Sequence, residues 1–230
     1  LMDEEAAARR QGLEREEALR RARDLVYKGW IAEKLSRYHE EHGGLMRESD
    51  LAQHEVELAS PLHTNYLGYD VYTCGPWCQG PLLIQFLNML ETFDLGSMKH
   101  NSPDYLHLLL EVMNLAFADR ENFYGDPRFT EVPLEGLTSR EYARHRVGEV
   151  DLDCAEGQMP LPGNPWLYEP GAADRQVTPV DVERYLAPGE NQKSDTSYVV
   201  AVDNRGNVFS ATPSDPVFWT PIVPGLGFSC

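Results

Sequence analysis

An α+β fold is the class this sequence predicts, and three observations predict it. Helical periodicity dominates residues 4–40 and 80–146, a strand pair is written into residues 63–73, and the strongest β signal in the chain opens at residue 196 and returns by residue 212. Between the helical part and that last hairpin lies a stretch, 151–195, with prolines at 160, 162, 165, 170, 179 and 188 and little periodicity.

The elements follow in chain order. From Glu4 to Arg23 the sequence is rich in Ala, Glu, Arg and Leu, with apolar contacts available at Leu13, Ala18, Leu19, Ala22, Leu25 and Val26. Gly29 interrupts this pattern. Ile31, Ala32, Leu35 and Tyr38 resume it, Gly43-Gly44 stops it, and Ser49 or Asp50 can cap a short helix beyond. The texture changes at Pro61, after which His63 to Thr73 reads as two short strands about a Leu67-Gly68 turn. Gly80 to Leu95 predicts a strongly apolar helix through Leu83, Ile84, Phe86, Leu87 and Leu90. Ser102-Pro103 opens another, an N-cap followed by proline, running past Leu106, Leu109, Leu110, Met113, Phe117 and Arg120 to end before Gly125-Asp126-Pro127. Ser139 then opens a short polar helix through Arg146. After the proline-rich stretch, Thr196 to Asp203 reads as a buried strand. Asn204-Arg205-Gly206-Asn207 forms a tight turn, and Val208 to Thr212 returns as the partner.

Composition narrows the function classes. With 20 basic against 37 acidic residues in 230, a net charge of −17 argues against the basic face that phosphate contact needs, so nucleic acid is not expected as a partner. No run approaches the ~18 apolar residues of a membrane span, so no membrane partner is expected either. The first residues, Leu1-Met2-Asp3-Glu4, are too charged for a signal peptide, and the compartment stays open with the cytoplasm favoured over periplasm or secretion. Cys74, Cys78, Cys154 and Cys230 are too few for a disulfide scaffold. Cys74 and Cys78 are spaced like half a metal site but lack a second ligand pair, and read as ordinary loop or strand thiols. The seven histidines show no metal-binding spacing, and no glycine-rich phosphate loop is present, so neither metal nor cofactor is expected.

Five segments carry a family resemblance. Asp195-Thr196-Ser197-Tyr198-Val199-Val200-Ala201-Val202-Asp203 through Gly206-Asn207-Val208 resembles the start of the small subunit of γ-glutamyltransferases. Tyr27-Lys28-Gly29-Trp30-Ile31-Ala32 resembles that family's Tyr-x-Gly-x-Ile-Ala helix. Gly43-Gly44-Leu45-Met46 through Asp50-Leu51 resembles its double-glycine turn. Gln79-Gly80 with the helix after it resembles its central helix, and Ala118-Asp119-Arg120 with Gly125-Asp126-Pro127 its Ala-Asp-Arg and Gly-Asp-Pro signature.

The resemblance implies the four-layer αββα sandwich of N-terminal-nucleophile hydrolases, present here as a middle portion: outer helices plus the first nucleophile-bearing hairpin. Residues 1–150 would be a large-subunit portion, 151–195 a tether ending at a self-cleavage junction, and 196–230 the start of the small subunit. The remaining segments of the same proenzyme, completing a large/small-subunit heterodimer, and a small amide substrate are the partners it implies.

For the site, it implies cleavage between Asp195 and Thr196 and a Thr196 acyl-enzyme. A threonine hydroxyl needs a base, and a free α-amine on the same residue, with an unperturbed pKa of about 7.7–8.0, can be that base. Ser214 falls where the family places a second hydroxyl against the nucleophile, and otherwise reads as a turn serine beside Pro213. Asp215 falls near the family's amine-gripping asparagine, and either contacts a substrate amine or shapes the turn. Asp119, Arg120 and Asp126 are expected to be structural, with Asp119-Arg120 an ion pair closing its helix and Asp126-Pro127 a turn. Ser197-Tyr198 stands in place of the usual Thr-His, and the asparagine after Ser214 is missing. Both departures resemble the outlying branch that includes amidohydrolases such as oxamate hydrolase. The alternatives are a glutathione-type transpeptidase and a non-catalytic homologue serving as scaffold or binding protein.

Overall fold

The structure, a computed structural model, describes residues 1–172, 175–180, 197–212 and 221–228. These fall into two compact units, residues 58–188 and residues 1–57 with 189–230.

In the first of these units, strands β1 (Leu62–Tyr66) and β2 (Tyr69–Thr73) pair antiparallel, Leu62 opposite Thr73 and Tyr66 opposite Tyr69. Leu67 and Gly68 both take positive φ, 50° and 88°, the two-residue turn whose twist matches the strands. Helix α5 (Gly80–Leu90) stops earlier than its apolar run to Leu95 suggests. The Thr92 hydroxyl takes the Met89 carbonyl and the Phe93 N–H bonds back to Leu90, tightening and closing the last turn.

Helix α6 (Pro103–Phe123) starts where the sequence says it should, with Ser102 Oγ accepting from the Tyr105 N–H. Met89 and Leu90 of α5 pack with Leu108, Val112, Leu115 and Ala116 of α6 and Ala143 of helix α8 (Arg140–Arg146). At about 1.5–3 kcal/mol for each large apolar side chain removed from water, this cluster is the unit's main source of stability. A second cluster gathers Phe123, Leu137 of helix α7 (Leu134–Thr138), Tyr142 and Trp166.

Within the proline-rich stretch, residues 162–166 pack against the helices while 151–159 are exposed. Trp166 is buried in a short 3₁₀ turn whose Asn164 side chain caps it, and Arg175 lies 4.1 Å over the indole while pairing with Glu131. Helix α7 meets this segment where Gly136 leaves room for it. A Cβ there would stand 2.2 Å from the Pro165 carbonyl oxygen, and the Gly136 N–H donates to Glu169.

The expected Asp119–Arg120 ion pair does not exist. Successive residues on a helix point about 100° apart, and that rotation sends Asp119 inward while Arg120 stays at the edge of the core. Arg120 pairs with Glu121 and lies over the Phe117 ring, whereas Asp119 turns into the core. Its partner there is Arg146 of α8, with Nη2 3.3 Å from Oδ1 and both residues at 0% exposure. Tyr142 Oη and Gln85 Nε2 donate to Oδ2 at 2.8 and 3.1 Å, and the Gly163 N–H donates to Oδ1 at 2.9 Å. Burial pushes the Asp119 carboxyl up, against the pull of Arg146, the Gly163 N–H and the Tyr142 hydroxyl. Gly163 must lack a side chain, because a Cβ would lie 2.3 Å from the Tyr142 oxygen.

Asp126-Pro127 forms the expected turn. The Phe129 and Thr130 N–H groups reach the Asp126 carbonyl, and Arg128 grips the carboxylate through Nε and Nη2.

In the other unit, helices α1 (Met2–Arg10) and α2 (Arg15–Tyr27) replace the single run read from Glu4 to Arg23. Gly12, at φ 90°, breaks it, and the two helices close on each other through buried Ala8, Ala18 and Ala22. Helix α3 (Trp30–Glu41) follows Gly29, whose missing side chain allows the close approach to the Leu25 backbone. Ile31 and Leu35 of α3 pack with Val223. Helix α4 (Glu48–Gln53) is capped by Asp50, whose carboxylate accepts from the Arg47 N–H at 2.8 Å.

Removing one partner of the buried Asp119–Arg146 pair strands the other charge. Asp119→Ala is expected to cost about 3–5 kcal/mol of unfolding free energy. The double variant Asp119→Leu/Arg146→Met should recover much of that loss in chemical denaturation. An Asp119→Ala protein as stable as the wild type would contradict this assignment.

Candidate active site

The residues on which the sequence reading rests (Asp195, Thr196, Ser214 and Asp215) lie outside the described residues. What the structure gives is the element bordering them on either side: strand β3 (Val199–Val202), three residues after Thr196, paired with strand β4 (Val208–Ala211), three residues before Ser214. The pairing is antiparallel, with Val199 opposite Ala211 and Val202 opposite Val208.

Asp203 organises the connecting turn. Its N–H donates to the Asn207 carbonyl and its own carbonyl accepts from Gly206, which takes φ 81°. The carboxylate accepts from the Arg205 and Asn207 N–H groups at 2.8 and 2.9 Å and from the Asn207 amide at 2.8 Å. Together these make a three-residue loop with glycine at the left-handed position, which fixes the register of β3 against β4. Hydrogen bonds from the Asn207 side chain and from the backbone hold the Asp203 carboxyl below the usual carboxylate range. Across the pair, Ser210 Oγ donates to Tyr198 Oη at 3.1 Å.

The expectation of a buried hairpin is corrected. Val199, Val200, Val202, Val208 and Phe209 are all more than half exposed. Among the described residues the sheet has two strands, and each face of a two-stranded sheet stays open unless another layer covers it.

In the unit of residues 58–188, two of the resembling segments meet at one cleft of about 240 Å³. Trp77, Cys78 and Gln79, before α5, face Arg120, Tyr124 and Gly125, at the end of α6. Tyr124 Oη donates to Gln85 Oε1, which joins the cleft floor to the Asp119 network, and burial drives the Tyr124 hydroxyl far above its ordinary pKa. Gly80 makes this junction possible, since a Cβ there would fall 1.9 Å from the Cys74 carbonyl oxygen. Among the described residues, no three His, Cys, Asp or Glu side chains gather as metal ligands, and no helix is long and apolar enough to cross a membrane.

Sequence reasoning missed Arg146, Tyr142, Gln85 and Gly163 as the partners of Asp119. The available signal was the i, i+4 spacing of Tyr142 and Arg146 on the helix that Ser139 opens, which puts both on one face.

Comparison with known proteins agrees with this architecture. The gamma-glutamyltranspeptidase family model matches residues 14–228. The glutathione hydrolase proenzyme of Bacillus subtilis subsp. natto is 34% identical over 207 residues, covering 89% of this chain and 34% of that protein. The acylase ACY 1 proenzyme of Pseudomonas sp. (strain SE83) is 32% identical over 207 residues, covering 89% of this chain and 32% of that protein. The solved structure of LmbA2991HD superposes with a TM-score of 0.77 at 33% identity, covering 99% of this chain and 38% of that one. The chain therefore spans about a third of the length of the curated relatives it matches, and its mixed helices and strands are part of the N-terminal-nucleophile hydrolase fold.

Because the depressed Asp203 value reflects bonds made by the carboxylate, its contribution to the hairpin is present above the unfolded pKa of about 3.9 and lost as pH falls through the lower folded value. Amide exchange at Arg205 and Asn207 should accelerate, beyond the intrinsic pH effect, on acidification through that window. Asp203→Ala should show the faster exchange at neutral pH as well.

The five ordered segments, the extent of the match and the superposition lead to one conclusion: this chain belongs to the gamma-glutamyltranspeptidase family.

Proposed function

We propose that the protein is a self-processing amidohydrolase that cleaves a small amide, γ-glutamyl or related, through an acyl-enzyme on Thr196. The observation carrying this reading is that the family match runs through the Asp195–Thr196 junction and the hairpin after it, with relatives that are themselves proenzymes.

The chemistry starts with the intact chain. Thr196 Oγ1 attacks the Asp195 carbonyl carbon, the acyl group moves from nitrogen to oxygen, and water hydrolyses the resulting ester. Asp195 leaves as a carboxylate terminus and Thr196 gains a free α-amine. That amine then accepts the hydroxyl proton as Oγ1 attacks the substrate amide, and the proton passes to the departing amine. The acyl-enzyme is released to water, or to an amine acceptor.

Ser214 would set a second hydroxyl beside the nucleophile, and Asp215 would receive an ammonium group of the substrate. The remaining segments of the proenzyme would supply oxyanion donors worth a few kcal/mol of barrier lowering and the layers that cover the open hairpin. Relatives named both as glutathione hydrolases and as acylases favour hydrolysis of an amide without fixing its acyl group. The replacement of the family's Thr-His by Ser197-Tyr198 favours a substrate other than glutathione.

Thr196→Ala in the full-length protein is expected to leave one unprocessed chain by intact mass and to abolish amide turnover. Normal two-chain processing in that variant would remove the case for Thr196. Ser214→Ala should lower kcat and Asp215→Ala should raise KM for an amine-bearing substrate. Unchanged kinetics in either would strip that residue of its role.

A further inference from the structure

Cys74 and Cys78 are free thiols in the six-residue connection between β2 and α5, Cys74 exposed and Cys78 half-buried. The connection is pinned at both ends. Thr73 is held in the β ladder opposite Leu62, and the Cys74 carbonyl is seated against Gly80 where no side chain intervenes. Between those points the Cys78 N–H bonds to the Gly75 carbonyl at 3.2 Å, and with the Cys74 carbonyl against Gly80 the loop closes on itself and holds the two cysteines near each other. Thr73 Oγ1 lies 3.9 Å from Cys74 Sγ, close enough to donate to a thiolate. A disulfide forms without backbone rearrangement where the two Cα atoms lie within about 7 Å, the kind of span a tight turn closes.

We propose that Cys74 and Cys78 form a reversible disulfide by exchange with a low-molecular-mass disulfide such as glutathione disulfide. Exposure makes Cys74 the attacking residue. Its thiolate displaces one thiol from the small disulfide and is left as a mixed disulfide. The Cys78 thiolate then attacks the Cys74 sulfur and displaces the second thiol. Two protein thiols are oxidised, one small disulfide is reduced to two thiols, and the two protons lost from the cysteines end on the two leaving groups. Burial, together with the neighbouring Cys74 sulfur, raises the Cys78 thiol, which suits a resolving rather than an attacking residue. The bond would lock the loop that carries Trp77 and Cys78, one wall of the cleft facing Arg120 and Tyr124.

The test uses the full-length protein with Cys154 and Cys230 changed to alanine, equilibrated with glutathione disulfide, alkylated and digested with chymotrypsin. Cleavage after Trp77 separates the two cysteines, so the bridged loop yields two peptides that stay joined until reductant is added, with a loss of two hydrogens in the intact mass. In Cys78→Ser the glutathione adduct should accumulate on Cys74 in most chains. In Cys74→Ser the Cys78 thiol should remain largely unmodified. Separate alkylation of both thiols after exchange, or a glutathione adduct that persists on Cys74 while Cys78 is present, would overturn the proposal.

Discussion

The carboxylate of Asp119 organises the unit of residues 58–188. Asp119 is fully buried, and a bare charge in that position would be prohibitively costly. It is tolerated because four groups converge on it from separate parts of the chain: Gln85 from α5, Tyr142 and Arg146 from α8, and the Gly163 N–H from the proline-rich segment. Each is separated from Asp119 by 23 or more residues, so satisfying the charge fixes how α5, α6, α8 and residues 161–163 sit against one another. Hydrophobic burial supplies most of the free energy, but it is directionless. The carboxylate selects one arrangement among the many that would bury the same leucines.

The glycines of this unit serve that arrangement. Gly163 brings its N–H to Asp119 because nothing projects towards Tyr142, Gly136 lets the Pro165 carbonyl approach α7, and Gly80 lets the start of α5 touch the Cys74 carbonyl. The cleft between the Trp77 loop and the end of α6 follows from these contacts, with Tyr124 tied through Gln85 to the same carboxylate. The Ala-Asp-Arg and Gly-Asp-Pro signature thus divides its labour. Asp119 holds the core, Arg120 faces the cleft, and Asp126 shapes a turn with Arg128 on its surface.

Much of the local structure was legible from the residues. The Ser102 and Ser139 caps, the Leu67-Gly68 turn, the Asp126 turn and the Asn204–Asn207 turn depend on interactions within a few positions, which sequence spacing encodes directly. Long-range pairing was not legible. The i, i+4 spacing of Tyr142 and Arg146 marks a shared helix face but not what that face meets, so Asp119 was matched with its neighbour in sequence instead of its neighbour in space. The break at Gly12 was hidden by helix formers on both sides of it. The run of β-branched and apolar residues in β3 and β4 correctly announced strands, but such a run reports what a strand can bury and not whether a covering layer belongs to the same stretch of chain. For the candidate nucleophile, the residue itself carries little information, and its identification rests on order among five segments.

Family membership and the proenzyme relatives support the proposed mechanism, in which cutting the backbone ahead of Thr196 creates the base that activates it. N-terminal sequencing of the smaller fragment from purified full-length protein tests this most directly. The account predicts a fragment beginning at Thr196 in active protein. An active preparation that consists only of unbroken chains, or a fragment starting elsewhere, would contradict it.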